Sequence, residues 1–300
     1  MFSEEFDKAK REEIEHELMC RHKSVKRKVY GKTVLNRELV GYTVGGENGL
    51  LLCGTFHSME RITCAMLYKF LFSVCKVYES DDRFRQQLSK TGLTVIPTVN
   101  PDGVEISLHT EKSAGILCRH VRRCLKQSGE KSERWQANAR GVDINHNFDA
   151  GFDLVKTNEK KMGITTFAST RYGGEYPESE NETKALCNLC RKREFAIAAA
   201  LHSQGREIYY DYGEHTRKEN YEIAKAMSAL SGYKVSQPSG IAVGGGFKDW
   251  FIEHFHRPAF TIEVGKGKNP LSMTVFESEY KKVEKMLWYL MRYTIKNSGG

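Results

Sequence analysis

Four side chains in this 300-residue sequence have the types and spacing for metal-assisted hydrolysis. His57 and Glu60 stand three positions apart just after the apolar run Leu50 to Cys53. His202 follows the apolar run Phe195 to Leu201, and Glu263 lies near the end of Pro258 to Val264. Two imidazoles and one carboxylate make a zinc set that leaves one coordination position for water, which then ionises near pH ~7. Glu263 is left over as a base. On residue types alone this reading is balanced by a plainer one. His-x-x-Glu also arises by chance, and a histidine at a strand end is more often a satisfied structural residue.

The four groups can meet only if the fold brings them together. Leu50 to Cys53, Leu93 to Ile96, Phe195 to Leu201 and Pro258 to Val264 read as buried strands. Ile62, Met66, Phe70, Val74 and Val77 recur at helical spacing, as do Phe276, Tyr280, Val283, Leu287 and Leu290. Strands alternating with helices predict an α/β fold with a mixed, mostly parallel central sheet covered by helices on both faces. In such sheets sites form outside the carboxyl ends of the strands, where His57, His202 and Glu263 would stand. The spacing of His57 and Glu60 places them on one face of a helix's first turn. Ser179-x-x-Glu182 reads as a capping box opening a helix that runs to about Arg193. Asp149 to Pro177 shows no periodicity, and loops that long are usually functional or mobile. Residues 1–28 read as a charged helical extension with a thin apolar stripe of Phe6, Ile14 and Leu18 and a basic end. Residues 29–300 read as one catalytic domain.

The surrounding text adds a resemblance. Gly54-Thr-Phe-His57-Ser-Met-Glu60, Ile96-Pro-Thr-Val-Asn-Pro-Asp-Gly103, Arg140-Gly-Val-Asp-Ile-Asn145-His-Asn-Phe148, Gly174-Glu-Tyr-Pro-Glu-Ser-Glu180, Leu201-His202-Ser203 and Phe260-Thr-Ile-Glu263-Val-Gly265 occur in that order. Together they resemble the zinc carboxypeptidases of the carboxypeptidase A type over roughly residues 40–295. The resemblance implies one zinc ion per chain, held by His57, Glu60 and His202, with Glu263 as general base. It implies that Arg140, or alternatively Arg134, steadies the developing oxyanion. It also implies that Asp143 holds a zinc-ligating histidine in its tautomer. Asn145, His146, Ser203 and Lys248 fall on substrate-binding positions.

Two departures bear on substrate. Where the family carries an arginine that clamps a C-terminal carboxylate, this sequence has His146, which lacks the planar two-pronged grip. The family also has a tyrosine that caps the bound residue, with no counterpart in Gln237 to Gly246, and Lys248 falls on the floor of the family's specificity pocket. A lysine there favours an acidic group on the substrate, unless it snorkels to the surface. His202-Ser-Gln-Gly-Arg-Glu-Ile-Tyr-Tyr210 and Ile262-Glu-Val-Gly-Lys-Gly-Lys-Asn-Pro-Leu271 look like the bacterial peptidases that cut between γ-D-glutamate and meso-diaminopimelate. The expected substrate is therefore a peptide or muropeptide. The competing enzyme reading is a carboxypeptidase removing acidic residues from ordinary peptides. A non-catalytic binding protein would be free to lose the base, which is present.

Composition narrows the rest. The apolar share is 40% and the formal net charge +8, so the chain can build a full core and suits an anionic substrate. No run approaches the ~18 apolar residues of a membrane span, and the charged N-terminus lacks a signal-peptide core. The expectation is a cytoplasmic protein with no membrane partner. Leu117 to Trp135 holds six Arg or Lys and two Glu, either a cationic rim for anionic substrates or a solvated helix face. Aromatics are not interleaved with these charges, so no nucleic-acid partner is expected. Cys187 and Cys190 form Cys-x-x-Cys without a second pair at zinc-finger spacing, and read as a helix face.

Overall fold

A computed structural model describes residues 5–238, 240 and 243–297. Four apolar runs form the centre of its sheet as β3 (Leu50–Gly54), β4 (Leu93–Ile96), β5 (Ile197–Ser203) and β8 (Ala259–Val264). They pair in the order β4-β3-β5-β8, all parallel. The remaining strands are β1 (Val25–Lys32), β2 (Glu38–Val44), β6 (Glu207–Tyr209) and β7 (Lys234–Ser236). β1 and β2 extend one edge antiparallel, and β6 joins β8 antiparallel with β7 outside it. The sheet is therefore mixed with a parallel centre, as expected.

Period-two alternation divides the central strands between two cores. Leu50 and Leu52, Ala199 and Leu201, and Phe260, Ile262 and Val264 point to one face. There they meet α1 (Lys8–Arg21), α2 (Arg61–Ser80), α3 (Asp82–Thr91), α8 (Lys218–Ser231) and α10 (Phe276–Asn297). Leu51, Cys53, Ala198, Ala200 and Ala259 point to the other face. That face is covered by α7 (Asn181–Arg193) and α9 (Phe247–Phe255). A third cluster joins α4 (Pro101–His109) and α5 (Cys118–Ser128) through Ile106, Val121, Cys124 and Trp135. The alternation decides where the chemistry goes. Leu201 and Ile262 belong to the first core, so His202 and Glu263, one residue on, turn together to the opposite face.

Several local expectations change. The N-terminal helix ends at Arg21, and the basic run continues as edge strand β1. Lysines on an edge strand keep it from pairing with another chain. Phe6, Ile14 and Leu18 are buried in the same core as α2 and α10. The stretch after Asp149 contains helix α6 (Phe152–Lys161). The capping box does not close: Glu180 is the N-cap of α7, and the Ser179 hydroxyl bonds Glu180 and Asn147 instead. Cys187 and Cys190 are buried on α7, as the helix-face reading expects.

Candidate active site

His57 and Glu60 lie in the tight turn between β3 and α2, not on the helix itself. The Glu60 amide donates to the His57 carbonyl at 3.0 Å, which closes the turn and brings both side chains to one side. Glu60 is the N-cap of α2 but makes no side-chain cap bond, so its carboxylate is free to face the sheet. The helix N-terminus favours the negative charge there. On the neighbouring strand His202 and Glu263 are register partners at the carboxyl ends of β5 and β8. Phe56 stacks on the His202 ring at 5.2 Å and packs against Phe247 at 5.6 Å, giving the cluster an apolar floor.

The result is a convergent donor set. His57 Nδ1 and His202 Nδ1 are 3.3 Å apart. Glu60 Oε1 lies 3.0 Å from His57 Nδ1, and Oε2 lies 3.1 Å from His202 Nδ1. Neighbouring donors of a tetrahedral zinc with bonds of about 2.0–2.2 Å should lie about 3.3–3.6 Å apart, so the observed spacings are close to those a metal would set. Among the described residues this is the one group of three or more potential ligands gathered tightly enough to hold a metal. Two imidazoles and a carboxylate are also the donor chemistry of catalytic zinc.

Asp143 stands behind this set. Its Oδ1 lies 3.2 Å from His57 Nε2, and its oxygens accept from the Asn145 and Arg171 amides. Holding Nε2 as the protonated nitrogen leaves Nδ1 with its lone pair toward the metal position. Burial would raise the Asp143 carboxyl, but His57, His146 and the hydrogen bonds outweigh it and hold it well below the carboxylate range. Burial would likewise lower His57, yet the Glu60 and Asp143 charges hold it well above its ordinary value. Glu60 is lowered against its own burial by the two histidines. Burial pushes Glu263 up, and Glu60 adds to the rise.

Two connected spaces flank the cluster, both lined by His57, His146, Tyr209 and Glu263. The smaller, about 100 Å³, is reached by Asn145, Lys248 and Asp249. The larger, about 590 Å³, is reached by Arg134, Arg171, Ser203 and Asn269. Lys248 is buried rather than snorkelling: its Nζ bonds the Asp249 carboxylate and the Asp211 carbonyl. Burial lowers His146 below its ordinary value, although Asp143 opposes this, so it is neutral at pH 7 and supplies none of an arginine's charge. Asn145 accepts from the Phe247 amide at 3.0 Å and ties its loop to the start of α9. Gly245, at φ +69, lets that approach close up, since a Cβ there would meet the His146 carbonyl at 2.7 Å. Ser203 donates to Asn269. The segment in which the capping tyrosine is missing includes Ser239, Ile241 and Ala242, which lie outside the described residues.

The structure does not bring Arg140 to this cavity. The Asn138 side chain accepts from the Arg140 and Val142 amides, and Gly141 turns the chain at φ +77. Arg140 is thereby directed outward, 3.5 Å from Glu180 and over the Phe167 ring. Arg134, the alternative, does line the cavity, with Nε 3.2 Å from Glu130. Sequence reasoning missed Arg171, Gln136, Tyr209 and Asn269. Asn269 lies 3.3 Å from Glu60 Oε1 and also bonds the Ser203 carbonyl. For Arg171 the signal was its place in the long aperiodic stretch.

A family model described as zinc carboxypeptidase matches residues 13–289. The chain is 30% identical over 258 residues to the gamma-D-glutamyl-L-diamino acid endopeptidase 1 of Lysinibacillus sphaericus. That alignment covers 84% of this chain and 63% of the relative, so the chain spans less than two thirds of the relative's length. Its fold is similar to bovine thrombin-activatable fibrinolysis inhibitor, solved with tick carboxypeptidase inhibitor, at a TM-score of 0.77, 20% identity and 99% coverage of both chains. It is also similar to the murein-tripeptide amidase of Escherichia coli O157, at a TM-score of 0.53 and 21% identity, covering 88% of this chain and 91% of that one. Among the described residues, no helix is long and apolar enough to cross a membrane.

Proposed function

The chain belongs to the zinc carboxypeptidase family, and from that premise we propose that it hydrolyses the γ-D-glutamyl–meso-diaminopimelate bond of peptidoglycan-derived peptides. We assign the catalytic domain to the chain from β1 onward, which moves the expected boundary at residue 29 back to Val25, with α1 packed against it. His57, Glu60 and His202 hold the zinc. Bound there, zinc supplies a Lewis acid that acidifies water toward a pKa of about 7 and polarises a carbonyl. Glu263 takes the proton of the attacking water and returns it to the leaving amine. Its burial-raised carboxyl lies in the direction that near-neutral proton transfer requires. Asp143 keeps the His57 ring in one tautomer, and Phe56 supports the His202 ring. Arg134 is the cavity-lining cation nearest in sequence to the expected oxyanion position, and takes that role in place of Arg140.

One observation carries the substrate assignment: Lys248 is buried at the small pocket while neutral His146 stands where the family carries a carboxylate-clamping arginine. That combination moves recognition away from an ordinary C-terminal carboxylate, and the Lys248 ammonium, with two of its three donors used by Asp249 and the Asp211 carbonyl, keeps one for an acidic group on the side chain. Diaminopimelate carries one. The name of the Lysinibacillus relative points the same way. Lys248 would also accept a C-terminal glutamate, which is the second reading. Incubating the zinc-loaded protein with L-Ala-γ-D-Glu-meso-diaminopimelate and with peptides ending in glutamate separates the two by mass. Release of free diaminopimelate, faster than release of glutamate, is expected. Preferential release of glutamate would favour the second reading.

A further inference from the structure

Cations are unevenly shared between the two spaces that flank the metal cluster. In the small pocket Lys248 is already paired with Asp249. The large space receives three cations, Arg134, Arg171 and Lys268. Its carboxylates are Glu60, Asp143 and Glu263, and the first two are engaged by His57, His202 and the Arg171 amide. Arg134 has Glu130 as partner. Among the described residues, neither Arg171 nor Lys268 makes an ion pair, and the Arg171 guanidinium touches only the Met162 sulfur, at 4.0 Å.

Arg171 is also fixed in place. Its backbone adopts φ +66, a left-handed conformation uncommon outside glycine. Its amide donates at 3.0 Å to Asp143 Oδ2, on the carboxylate whose other oxygen holds His57. The root of the side chain is thus tied to the catalytic cluster through one residue. The anchor fixes the backbone at the cavity wall, and the exposed side chain extends from that fixed root.

A substrate cut at the cluster must extend into both spaces. If the departing residue lies in the small pocket with Lys248, its acyl partner lies in the large one. We propose that Arg171, assisted by Lys268, is a specificity-determining residue that binds a free carboxylate on the acyl side of the scissile bond. This rests on the peptidase reading above and deepens it. A γ-linked glutamyl residue reacts through its side-chain carbonyl, so its α-carboxylate is left free as the anion Arg171 would grip. An ordinary α-linked peptide has no carboxylate at that place unless its side chain supplies one.

The α-amidated substrate, L-Ala-D-isoglutaminyl-meso-diaminopimelate, keeps the scissile bond and removes only that charge. A charge-assisted contact is worth roughly a ten- to hundredfold preference. Zinc-loaded wild type should therefore favour the free acid over the amide by that factor in kcat/KM, mainly through KM. Arg171→Gln should collapse the ratio toward one, Lys268→Gln should reduce it, and Arg171→Lys should restore part of it. Because the comparison is a ratio within each variant, general loss of folding or zinc does not imitate the effect. Calorimetry gives a reading independent of turnover: L-Ala-D-Glu should bind the wild type more tightly than L-Ala-D-isoglutamine, and Arg171→Gln should erase the difference. A wild type that cuts both substrates equally, or an Arg171→Gln ratio equal to wild type, overturns the inference while leaving the peptidase reading intact. A wild type that cuts neither overturns both.

Discussion

Asp143→Asn separates the metal's support from the metal's ligands. The substitution keeps the shape of a fully buried side chain and removes its charge. Asp143 uses both oxygens as acceptors, one facing His57 Nε2 and the Asn145 amide, the other the Arg171 amide. An asparagine can offer only one oxygen. If its amide group faces His57, the ring loses the partner that fixes its tautomer. If it faces Arg171, a buried N–H is left unpaired, at a cost of about 1–3 kcal/mol. Removing a carboxylate behind a zinc-bound histidine weakens metal binding about 10- to 100-fold, or roughly 1.4–2.7 kcal/mol. Zinc affinity, measured by competition with a chelator at fixed pH, should fall by that factor. Denaturant unfolding of the metal-free protein should show a separate loss of about 1–3 kcal/mol. A folded variant that binds zinc within twofold of wild type would refute the role given to Asp143.

Two further substitutions test buried charge. Burial raises the Glu182 carboxyl to about 8, with Asp102 adding to the rise. The folded protein then holds a proton that the unfolded chain has lost, so stability should decline as pH rises between about 4.5 and 8. Glu182→Gln should flatten that decline and be the more stable protein at pH 8. Unfolding curves of equal slope against pH would contradict it. Lys248→Met strands the Asp249 carboxylate in the interior and should cost about 3–5 kcal/mol of stability. Lys248→Met with Asp249→Asn should recover most of that, because the asparagine oxygen can still accept from the Gly244 amide. If the single substitution costs under about 1 kcal/mol, Lys248 behaves as a solvated surface pair and is not the pocket floor.

What could be read in advance follows the physics of each element. β3, β4, β5 and β8 are buried on both faces and appear as unbroken apolar runs. The stripes of α2 and α10 are long enough to fix the helical period. β1 escaped because an edge strand rich in lysine looks like a solvated tail, and β6 and β7 because three residues carry no period. His202 and the base Glu263 were legible as residues at the ends of apolar runs, which register brings side by side, whereas His57 and Glu60, held in the turn before α2, were legible through the motifs that resemble the zinc carboxypeptidases. The arginines were not. Arg140 is turned away from the cavity by the Asn138 side chain and the turn at Gly141, and Arg171 is brought to the cavity wall by an amide bond to a carboxylate 28 positions earlier. Such side-chain to backbone bonds leave no periodic trace.

The most direct test of a zinc-dependent peptidase worked by His57, Glu60, His202 and Glu263 is a titration of the metal-free protein with zinc. Bound zinc and hydrolysis of L-Ala-γ-D-Glu-meso-diaminopimelate are followed together in wild type and Glu263→Gln. Activity in the wild type should rise in step with bound zinc and stop at one equivalent. Glu263→Gln should bind the same single equivalent and turn over about 10²- to 10⁴-fold more slowly. Full activity without metal, or a Glu263→Gln variant as active as wild type at one bound zinc, would contradict the assignment.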